Sequence, residues 1–451
     1  MQKTLIAALL TGAFFSLDAR AADLIQVYQQ ALANDAVYAS TRASQQAGLE
    51  RIPQGKSGLY PVIGAGASIT RNMGNIASGV GEVVTRPDGT SEVISSSGND
   101  YTNKQYTISL TQPLFRWDRW QTYQQSKLQE AISEAQFAQA QQDLITRVAQ
   151  AYFDVLGAQD TLESTRSQKE AVTEQLASAK RNFEVGTQTI TDTHEAQAAY
   201  DLVISQEFAA SADLENKRSA LLAIVGGDAV ALAPLRTGVA LASPQPAAIE
   251  PWLSAAQSQN YGVTVSELSL ESAKRDIERN RAGHLPTLDL VASNSRVLNA
   301  GQVYNTSRAT GNAVGVQLNV PIFSGFAVTS RVRESIALED KARNDLEATR
   351  RNAVLGVRQA YLGVNSGLAQ VKALEAAEIS SQSALDSNKL GYQVGVRINI
   401  DVLNAQRQLY STQTQLSQAR YTTIMSGLRL KAAAGSLREA DLVPVNALLV
   451  R

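Results

Sequence analysis

Side chains able to do chemistry are few in this sequence, and they are scattered. The two histidines, His194 and His284, have no partner at metal-ligand spacing. The absence of cysteine excludes disulfides, thiolate metal sites, a cysteine nucleophile and a lipid-modified N-terminal cysteine. No glycine-rich phosphate loop followed by Lys and Ser or Thr occurs. We therefore predict no catalytic residue, cofactor or metal site, and we rank a hydrolytic enzyme last because no nucleophile, base and orienting group form a set.

The first 21 residues have the order of a secretory signal peptide. Lys3 precedes an apolar run from Leu5 to Leu17, and the small residues Ala19 and Ala21 follow. We expect the mature chain to begin near Ala22. After that point no stretch approaches the roughly 20 apolar residues of a membrane-spanning helix, so membrane insertion would require β-strands.

The charge of the chain is nearly balanced. Its 41 basic and 42 acidic residues give a formal charge of -1, and removing Lys3, Asp18 and Arg20 with the signal peptide leaves 39 and 41, or -2. A nucleic-acid surface needs clustered positive charge, so we predict no nucleic-acid partner.

An internal duplication is the strongest pattern in the chain. Ala151–Val155 aligns with Ala360–Val364 and Asn182–Gly186 with Gly391–Gly395, both at an offset of 209 residues (360 − 151 and 391 − 182). Pro113-Leu114-Phe115 matches Pro321-Ile322-Phe323 at 208 (321 − 113). The predicted parts are a first repeat over 22–230, a linker over 231–250, a second repeat over 251–435 and a C-terminal tail over 436–451. The extra residues of the first repeat lie between Arg71 and Tyr101, a stretch rich in Gly, Ser and Asn that predicts an exposed loop.

Each repeat is predicted to contain a very long helix without proline. These helices run from Trp117 to Phe183 and from Phe326 to Tyr392, and at 1.5 Å per residue each would be roughly 100 Å long. Such a helix must be packed along its length by partners. The pattern predicts returning helices over His194–Ile224 and Val402–Ala434, and helices before the strands over Leu24–Gly55 and Pro251–Arg281. Apolar residues at alternating spacings of three and four predict a coiled-coil seam in each long helix. These residues are Ile145, Val148, Tyr152 and Val155 in the first repeat, and Val354, Val357, Tyr361, Val364, Leu368 and Val371 in the second.

Two strands per repeat are predicted from period-two alternation. Val314–Val320 and the residues around Tyr106, Ile108 and Leu110 place apolar side chains on one face and small polar ones on the other, as in a wall between lipid and water. Pro61–Arg71 and Pro286–Arg296 are the partner strands. Four strands cannot close a barrel, so the chain must oligomerise; packing alone favours three or more subunits without fixing the number.

The residues resemble the TolC family of outer-membrane efflux and secretion proteins. Leu24–Ala31 looks like the start of the mature family member, and Gly283–Leu290 looks like its third strand. The resemblance implies a mainly α fold with a β-barrel part: a homotrimer with a twelve-stranded barrel in outer-membrane lipid, four strands per chain, continued by a periplasmic α-helical coiled-coil barrel. It also implies a passive duct for efflux or type I secretion, joined to a periplasmic adaptor and an inner-membrane pump or ABC exporter. Drugs, metal ions and secreted proteins all remain open as its cargo.

The same resemblance assigns roles to the turns beyond the long helices. Gly186 and Gly395 lie in turns that would contact the adaptor, although a glycine there also simply permits the turn. Thr191, Asp192, Tyr392 and Arg397 match the polar links of the closed gate, with Arg397 suited to a carboxylate such as Asp192. The alternative for Asp192 and Asp401 is that each only favours the start of a returning helix.

A constriction is implied by two further positions. The family pairs two acidic residues one helical turn apart, whereas this chain has Asp401 followed by Asn404. One ring of three carboxylates would then line the pore, so we expect weaker cation selectivity and weaker block by multivalent cations. The alternative of a different class is a periplasmic coiled-coil adaptor or structural protein without a pore.

Overall fold

A computed structural model describes residues 21–73, 82–94, 101–227, 231–300 and 307–450. All but the last residue of the predicted signal peptide lie outside them. The helices are α1 Leu24–Asn34, α2 Ala36–Leu49, α3 Arg51–Ser57, α4 Trp117–Glu184, α5 Ile190–Val225, α6 Glu250–Ser258, α7 Tyr261–Arg281, α8 Ala327–Gln393, α9 Asn399–Ala433 and α10 Leu442–Asn446. The strands are β1 Val62–Asn72, β2 Glu82–Thr85, β3 Ser91–Ile94, β4 Tyr101–Phe115, β5 Thr287–Ala300 and β6 Ser307–Asn319. Within these residues, no helix combines the length and the hydropathy that crossing a bilayer demands.

One compact unit, residues 46–134 and 266–346, contains the sheet. Its four long strands are antiparallel in the order β1-β4-β5-β6, so the central pair β4 and β5 joins the two repeats. Pro113 lies at a register shift of β4, where a missing N–H is tolerated. Just beyond it, Arg116 forms two hydrogen bonds to Asp289 of β5, Nε to Oδ1 at 3.0 Å and Nη2 to Oδ2 at 2.6 Å.

The two faces of this sheet differ in composition, as the alternation predicts. Through the pairing Ile63↔Leu110 and its neighbours, one face carries most of the branched apolar side chains, among them Ile63, Ile108, Leu110, Leu290, Val314, Val316 and Leu318. The opposite face carries mainly small or polar side chains, among which Gly, Ser and Thr are the most frequent. Val314 is 79% exposed and Leu318 62% exposed. A face this apolar and this open requires a nonpolar cover.

The stretch between the first two long strands differs from the predicted loop. Its described part, 82–94, is a hairpin in which β2 pairs with β3 through Val83↔Val93. Asp88 accepts hydrogen bonds from the backbone N–H and the hydroxyl of Thr90, and Gly89 has φ +81°. The Pro-Asp-Gly turn with β-branched residues on both sides is the hairpin signal in the sequence.

The other compact unit, residues 21–45, 135–265 and 347–450 of the described chain, is helical. The bounds of the two long helices and the two returning helices agree with the predicted ones to within about four residues. The predicted seam of the first repeat is fully buried, with Ile145, Val148, Tyr152 and Val155 each at most 2% exposed. The Tyr152 hydroxyl donates toward the carbonyls of Ala22 and Ala233, at 3.2 and 2.8 Å, which ties the linker to this core.

The helices that precede the strands are broken, whereas each was predicted as one piece. Asp35 ends α1 and accepts the N–H of Tyr38 at 2.5 Å, so its carboxylate caps α2. In the second repeat Asn260 accepts the N–H of Val263 at 3.2 Å and caps α7 in the same way. Pro53 in the first turn of α3 has no N–H to continue the preceding helix.

These breaks receive the ends of the returning helices. Asn34 donates its side-chain N–H to the carbonyl of Val225, the last residue of α5, at 2.8 Å. Asn260 does the same for the carbonyl of Ala433, the last residue of α9, at 2.9 Å. Each repeat therefore places a returning helix end to end with a short helix, as expected from their lengths.

Candidate functional site

The tips of the two helical hairpins share one backbone geometry. Gly186 has φ +77° and Gly395 has φ +75°, a left-handed conformation that favours glycine. The N–H of Thr187 donates to the carbonyl of Asn182 at 2.8 Å, and the N–H of Val396 donates to the carbonyl of Gly391 at 2.8 Å. Both long helices therefore end in the glycine-terminated motif that satisfies their last carbonyls. A Cβ at either glycine would meet nothing within 4 Å, so both turns are open to solvent in the single chain.

The first tip, from Val185 to the first turn of α5, is closed by a capping box. The Thr189 hydroxyl accepts the N–H of Asp192 at 3.4 Å, while Asp192 Oδ2 accepts the N–H of Thr189 at 3.1 Å and its hydroxyl at 2.8 Å. Within the chain, Asp192 therefore serves the alternative role of starting a returning helix. Thr191 beside it is exposed. Neither residue lies against Arg397 in the described contacts, so their gate role stays a prediction about contacts between subunits.

The second tip, from Val394 to the first turn of α9, is built differently. Its N-cap is Ile398, which offers no side-chain oxygen. Arg397 lies across Gly391, where a Cβ would come within 2.7 Å of its Cγ, and its Nη1 reaches Asp401 Oδ2 at 3.6 Å. Asn404, one turn further along α9, is exposed. The two residues predicted to form the constriction, Asp401 and Asn404, therefore lie one turn apart on α9. Asp401 is the charged one of the two, and it has the Arg397 cation beside it.

Tyr392 connects the two tips. Its hydroxyl accepts the side-chain N–H of Gln188, from the first tip, at 2.5 Å. Its ring packs on the buried apolar cluster of Leu385, Val402 and Leu409. The assignment of Tyr392 to a polar link of the closed gate stays a prediction, and its hydroxyl partner inside the chain is Gln188.

Asn399 is the tip residue that the sequence analysis missed. Its side chain is fully buried, with Oδ1 accepting from Gln175 Nε2 at 2.5 Å and Nδ2 donating to the carbonyl of Asp192 at 3.1 Å. Its equivalent in the first repeat is Ile190, which is 46% exposed. The available signal was a difference between the repeats, because position 399 carries an amide where the equivalent position 190 carries an apolar side chain. A buried polar side chain is found where it has hydrogen-bond partners.

Neither tip contains an arrangement for bond-making chemistry. Within the described ranges, no group of three His, Asp or Glu residues is placed to hold a metal ion. The polar contacts at the tips are hydrogen bonds between helices and one exposed ion pair. Such contacts can hold helices together and release them.

Comparison with known proteins agrees with this picture. The family described as "Outer membrane efflux protein" matches residues 27–227 and 252–436. The chain is 35% identical over 435 residues to outer membrane protein TolC of Vibrio cholerae, covering 95% of this chain and 94% of that one. It is 32% identical to the alkaline protease secretion protein AprF of Pseudomonas aeruginosa, covering 97% and 90%.

Solved structures support the fold. The CmeC outer membrane channel of Campylobacter jejuni superposes with a TM-score of 0.77 at 18% identity, covering 95% of this chain and 90% of that one. Two repeats of long helix and paired strands, an apolar sheet face without a cover and a family match over both repeats lead to one assignment. This chain belongs to the outer membrane efflux protein family.

Proposed function

We propose that this outer-membrane exit duct for efflux and type I secretion works as a homotrimer, with the two tips of each chain at its closed periplasmic end. Relatives in the family carry outer-membrane, efflux and protease-secretion names, which support a passive role as a duct. A periplasmic adaptor and an inner-membrane pump or ABC exporter would supply the cargo and the energy. The observation that carries the trimer is a helical surface that the chain leaves without its partner.

Within the chain, the first repeat packs its long helix on the returning helix of the second. Phe153 of α4 stacks on Tyr421 of α9 with ring centroids 5.6 Å apart, and Ser167 accepts the Tyr410 hydroxyl through its carbonyl at 3.2 Å. Burial raises the pKa of the nearby Asp160 carboxyl, which accepts the Tyr421 hydroxyl at 2.7 Å. Together with Gln175 and Asn399, these contacts extend over more than twenty residues of α4.

Among the described residues, α8 and α5 do not make the equivalent contact. Phe153 is 2% exposed, whereas its equivalent Leu362 on α8 is 63% exposed. The other α8 positions equivalent to contacting residues of α4, at an offset of 209, are also exposed: Ala369, Ala373, Ala376 and Ala384. The α5 positions equivalent to contacting residues of α9 are exposed as well: Ile190, Asp201, Ser205 and Ala212. We call these two sets the open α8 face and the open α5 face.

Two open faces at different places on one chain favour a closed ring. If the α8 face of one chain packs on the α5 face of the next, the contact already formed inside each chain is repeated between chains. The sheet requires the same closure, because β1 and β6 are its two edges and have no strand partner among the described residues. Three chains give twelve strands, enough for a barrel with an open channel.

Loss of the trimer upon charging the open α8 face is the sharpest test of this arrangement. Leu362→Glu places a carboxylate on that face, at the position equivalent to the buried Phe153, and we expect monomers in detergent and loss of conductance in a planar bilayer. Val37→Glu adds the same charge at a residue that is also 61% exposed but belongs to neither face. This control should remain a heat-modifiable trimer recovered in the outer-membrane fraction.

The outcomes separate the possibilities clearly. A wild-type protein that is monomeric in detergent, conducts no ions and is recovered as a soluble species would contradict the duct. A Leu362→Glu protein that still forms conducting trimers would contradict the proposed contact. Co-purification with an adaptor that is lost upon Gly186→Asp and Gly395→Asp, but retained in Val37→Glu, would support the assignment of the glycine turns to adaptor binding.

A further inference from the structure

Asn399 is the most deeply buried polar side chain of the tips. It is 0% exposed, although it is the first residue of α9 and one position from the exposed Ile398. The buried neighbours around its partner Gln175 are apolar, and Val172 and Leu176 of α4 form a cluster with Leu403 of α9. A polar amide in such a setting is tolerated only with its hydrogen bonds made.

Those hydrogen bonds connect three helices of both repeats. Asn399 Oδ1 accepts from the side chain of Gln175 on α4, and Asn399 Nδ2 donates to the backbone carbonyl of Asp192 on α5. The carbonyl belongs to the first turn of α5, beside the capping box. Asn399 therefore holds the second tip of a chain to both helices of its first tip.

The equivalent place in the open faces has no such amide. The positions that correspond to Gln175 and Asn399 are Ala384 on α8 and Ile190 on α5, which are exposed and have no hydrogen-bonding side chain. In a ring of these chains, tip contacts within a chain would be polar and directional, while those between chains would be apolar at this level. The two kinds of contact can therefore differ in how they respond to a separating motion.

We propose that Asn399 is a positioning residue of the closed duct, a buried latch that fixes the second tip against the first within each subunit. This inference depends on the proposed function. Widening the tip by moving α9 away from α4 and α5 breaks both hydrogen bonds and leaves the Gln175 amide and the Asp192 carbonyl without partners. These two hydrogen bonds therefore favour the closed arrangement.

Asn399→Ile tests the latch by giving the second repeat the residue of the first. We expect trimers with unchanged heat-modifiable migration, but an open-to-closed ratio raised on the order of tenfold in single-channel recordings, from the loss of two buried hydrogen bonds. Gln175→Ala, the residue found at the equivalent position 384, removes one of the two bonds and should give a smaller rise. The double variant should open no more than Asn399→Ile alone, since both substitutions act on one network.

Gln406→Leu is the matched control. Gln406 is a buried amide on the same helix, 2% exposed, but its Oε1 has no hydrogen-bond partner among the described residues. Replacing Gln406 with leucine also removes a buried amide, but it leaves the link between the tips intact. The open-to-closed ratio of this variant should therefore equal that of wild type. An Asn399→Ile trimer that conducts like wild type, or a Gln406→Leu trimer that opens equally, would overturn the latch.

Failure of the latch and failure of the duct give different results. Conductance of wild-type trimers supports the duct whatever Asn399 does, and its absence contradicts the duct rather than the latch. If Asn399→Ile forms no trimer, Gln175→Ala on α4 supplies the answer. Opening in that variant supports the latch, and wild-type conductance contradicts it.

Discussion

The two repeats build the same helical breaks and tips with different polar groups. At the breaks, Asp35 of the first repeat and Asn260 of the second are equivalent at an offset of 225 (260 − 35), and each caps the following helix. Asp35 also accepts two hydrogen bonds from Arg147, at 3.0 and 3.1 Å, whereas Asn260 donates to the carbonyl of Ala433. The equivalent of Arg147 is Gly356, so the second repeat has no cation there.

The tips show the reverse distribution of charge. The first tip is closed by Thr189 and Asp192, with the carboxylate engaged in helix capping. The second has Ile398 in place of the capping hydroxyl and an Arg397–Asp401 ion pair instead. The backbone is the same in both, down to the glycine φ angles. The shared apolar pattern and glycines therefore specify the hairpin, and the polar groups are where the repeats differ in role.

Replacing the residue that caps each break should cause the largest loss of stability, and the loss should be greater for Asp35 than for Asn260. Asp35→Ala removes a helix cap and leaves Arg147 without its carboxylate, for which we expect a loss of about 3 kcal/mol of stability. Asn260→Ala removes a cap and one neutral hydrogen bond, with an expected loss of about 1–2 kcal/mol. Thermal unfolding of both purified variants, followed by circular dichroism, measures the difference. Equal losses would show that the ion pair contributes nothing beyond the cap.

Of the two breaks, only the first has a carboxylate at the capping position, so only this break should lose stability in acid. Burial acts to raise the pKa of Asp35, but the hydrogen bonds from Arg147 and from the backbone of Tyr38 outweigh it and hold that pKa below its ordinary value. The folded chain therefore binds fewer protons at this site than the unfolded chain. The stabilisation is present above the unfolded pKa of about 4 and is lost as the pH falls through the lower folded value.

Asp35→Asn isolates this contribution, because an amide oxygen can keep the cap without the charge. We expect the variant to be less stable than wild type at pH 7, with the difference narrowing below about pH 4. Melting temperatures of both proteins between pH 3 and 7 provide the measurement. A difference that stayed constant across this range would contradict the assignment, since the buried Asp160, with its raised pKa, is common to both proteins.

The sequence predicted the regular parts of the fold because they follow from periodicity. Trp117 begins α4 as predicted, and the seam from Ile145 to Val155 is buried, since a repeating apolar stripe has one way to pack. The break at Asp35 was hidden inside a good helical pattern, where a single capping side chain decides the outcome. Asn399 was missed for a related reason: its burial depends on two partners far away in the chain, which no local pattern contains.

The Arg397–Asp401 pair predicts a change in ion selectivity. The family resemblance predicts that Asp401 lines a constriction of the pore, and Arg397 Nη1 lies 3.6 Å from Asp401 Oδ2. Arg397→Ala removes that cation, so the carboxylate ring should attract cations more strongly. Because the pair is partly exposed and screened, we expect only about a threefold rise in the cation-to-anion permeability ratio.

Reversal potentials in a salt gradient across a planar bilayer measure this ratio. Asp401→Ala should lower the ratio and remove what block multivalent cations cause. If block were strong and survived in Asp401→Ala, the assignment of the constriction to a single ring of Asp401 would be wrong. An unchanged ratio in Arg397→Ala would instead indicate that Arg397 engages a carboxylate of a neighbouring chain, such as Asp192.

Exchanging the caps should give the smallest effect and test the contrast between tips most directly. Thr189→Ala removes the capping hydroxyl of α5, with an expected local loss of about 1 kcal/mol. Ile398→Thr supplies the missing hydroxyl to α9, where Asp401 already occupies the position that Asp192 holds in the first capping box. Amide hydrogen exchange in the first turns of α5 and α9 should become faster in the first variant and slower in the second. Ile398→Thr could protect α9 and also shift the permeability ratio, which would show that the Arg397–Asp401 pair is weakened. In that case the second tip lacks a capping hydroxyl because a cap would engage the Asp401 carboxylate, which the pore needs free.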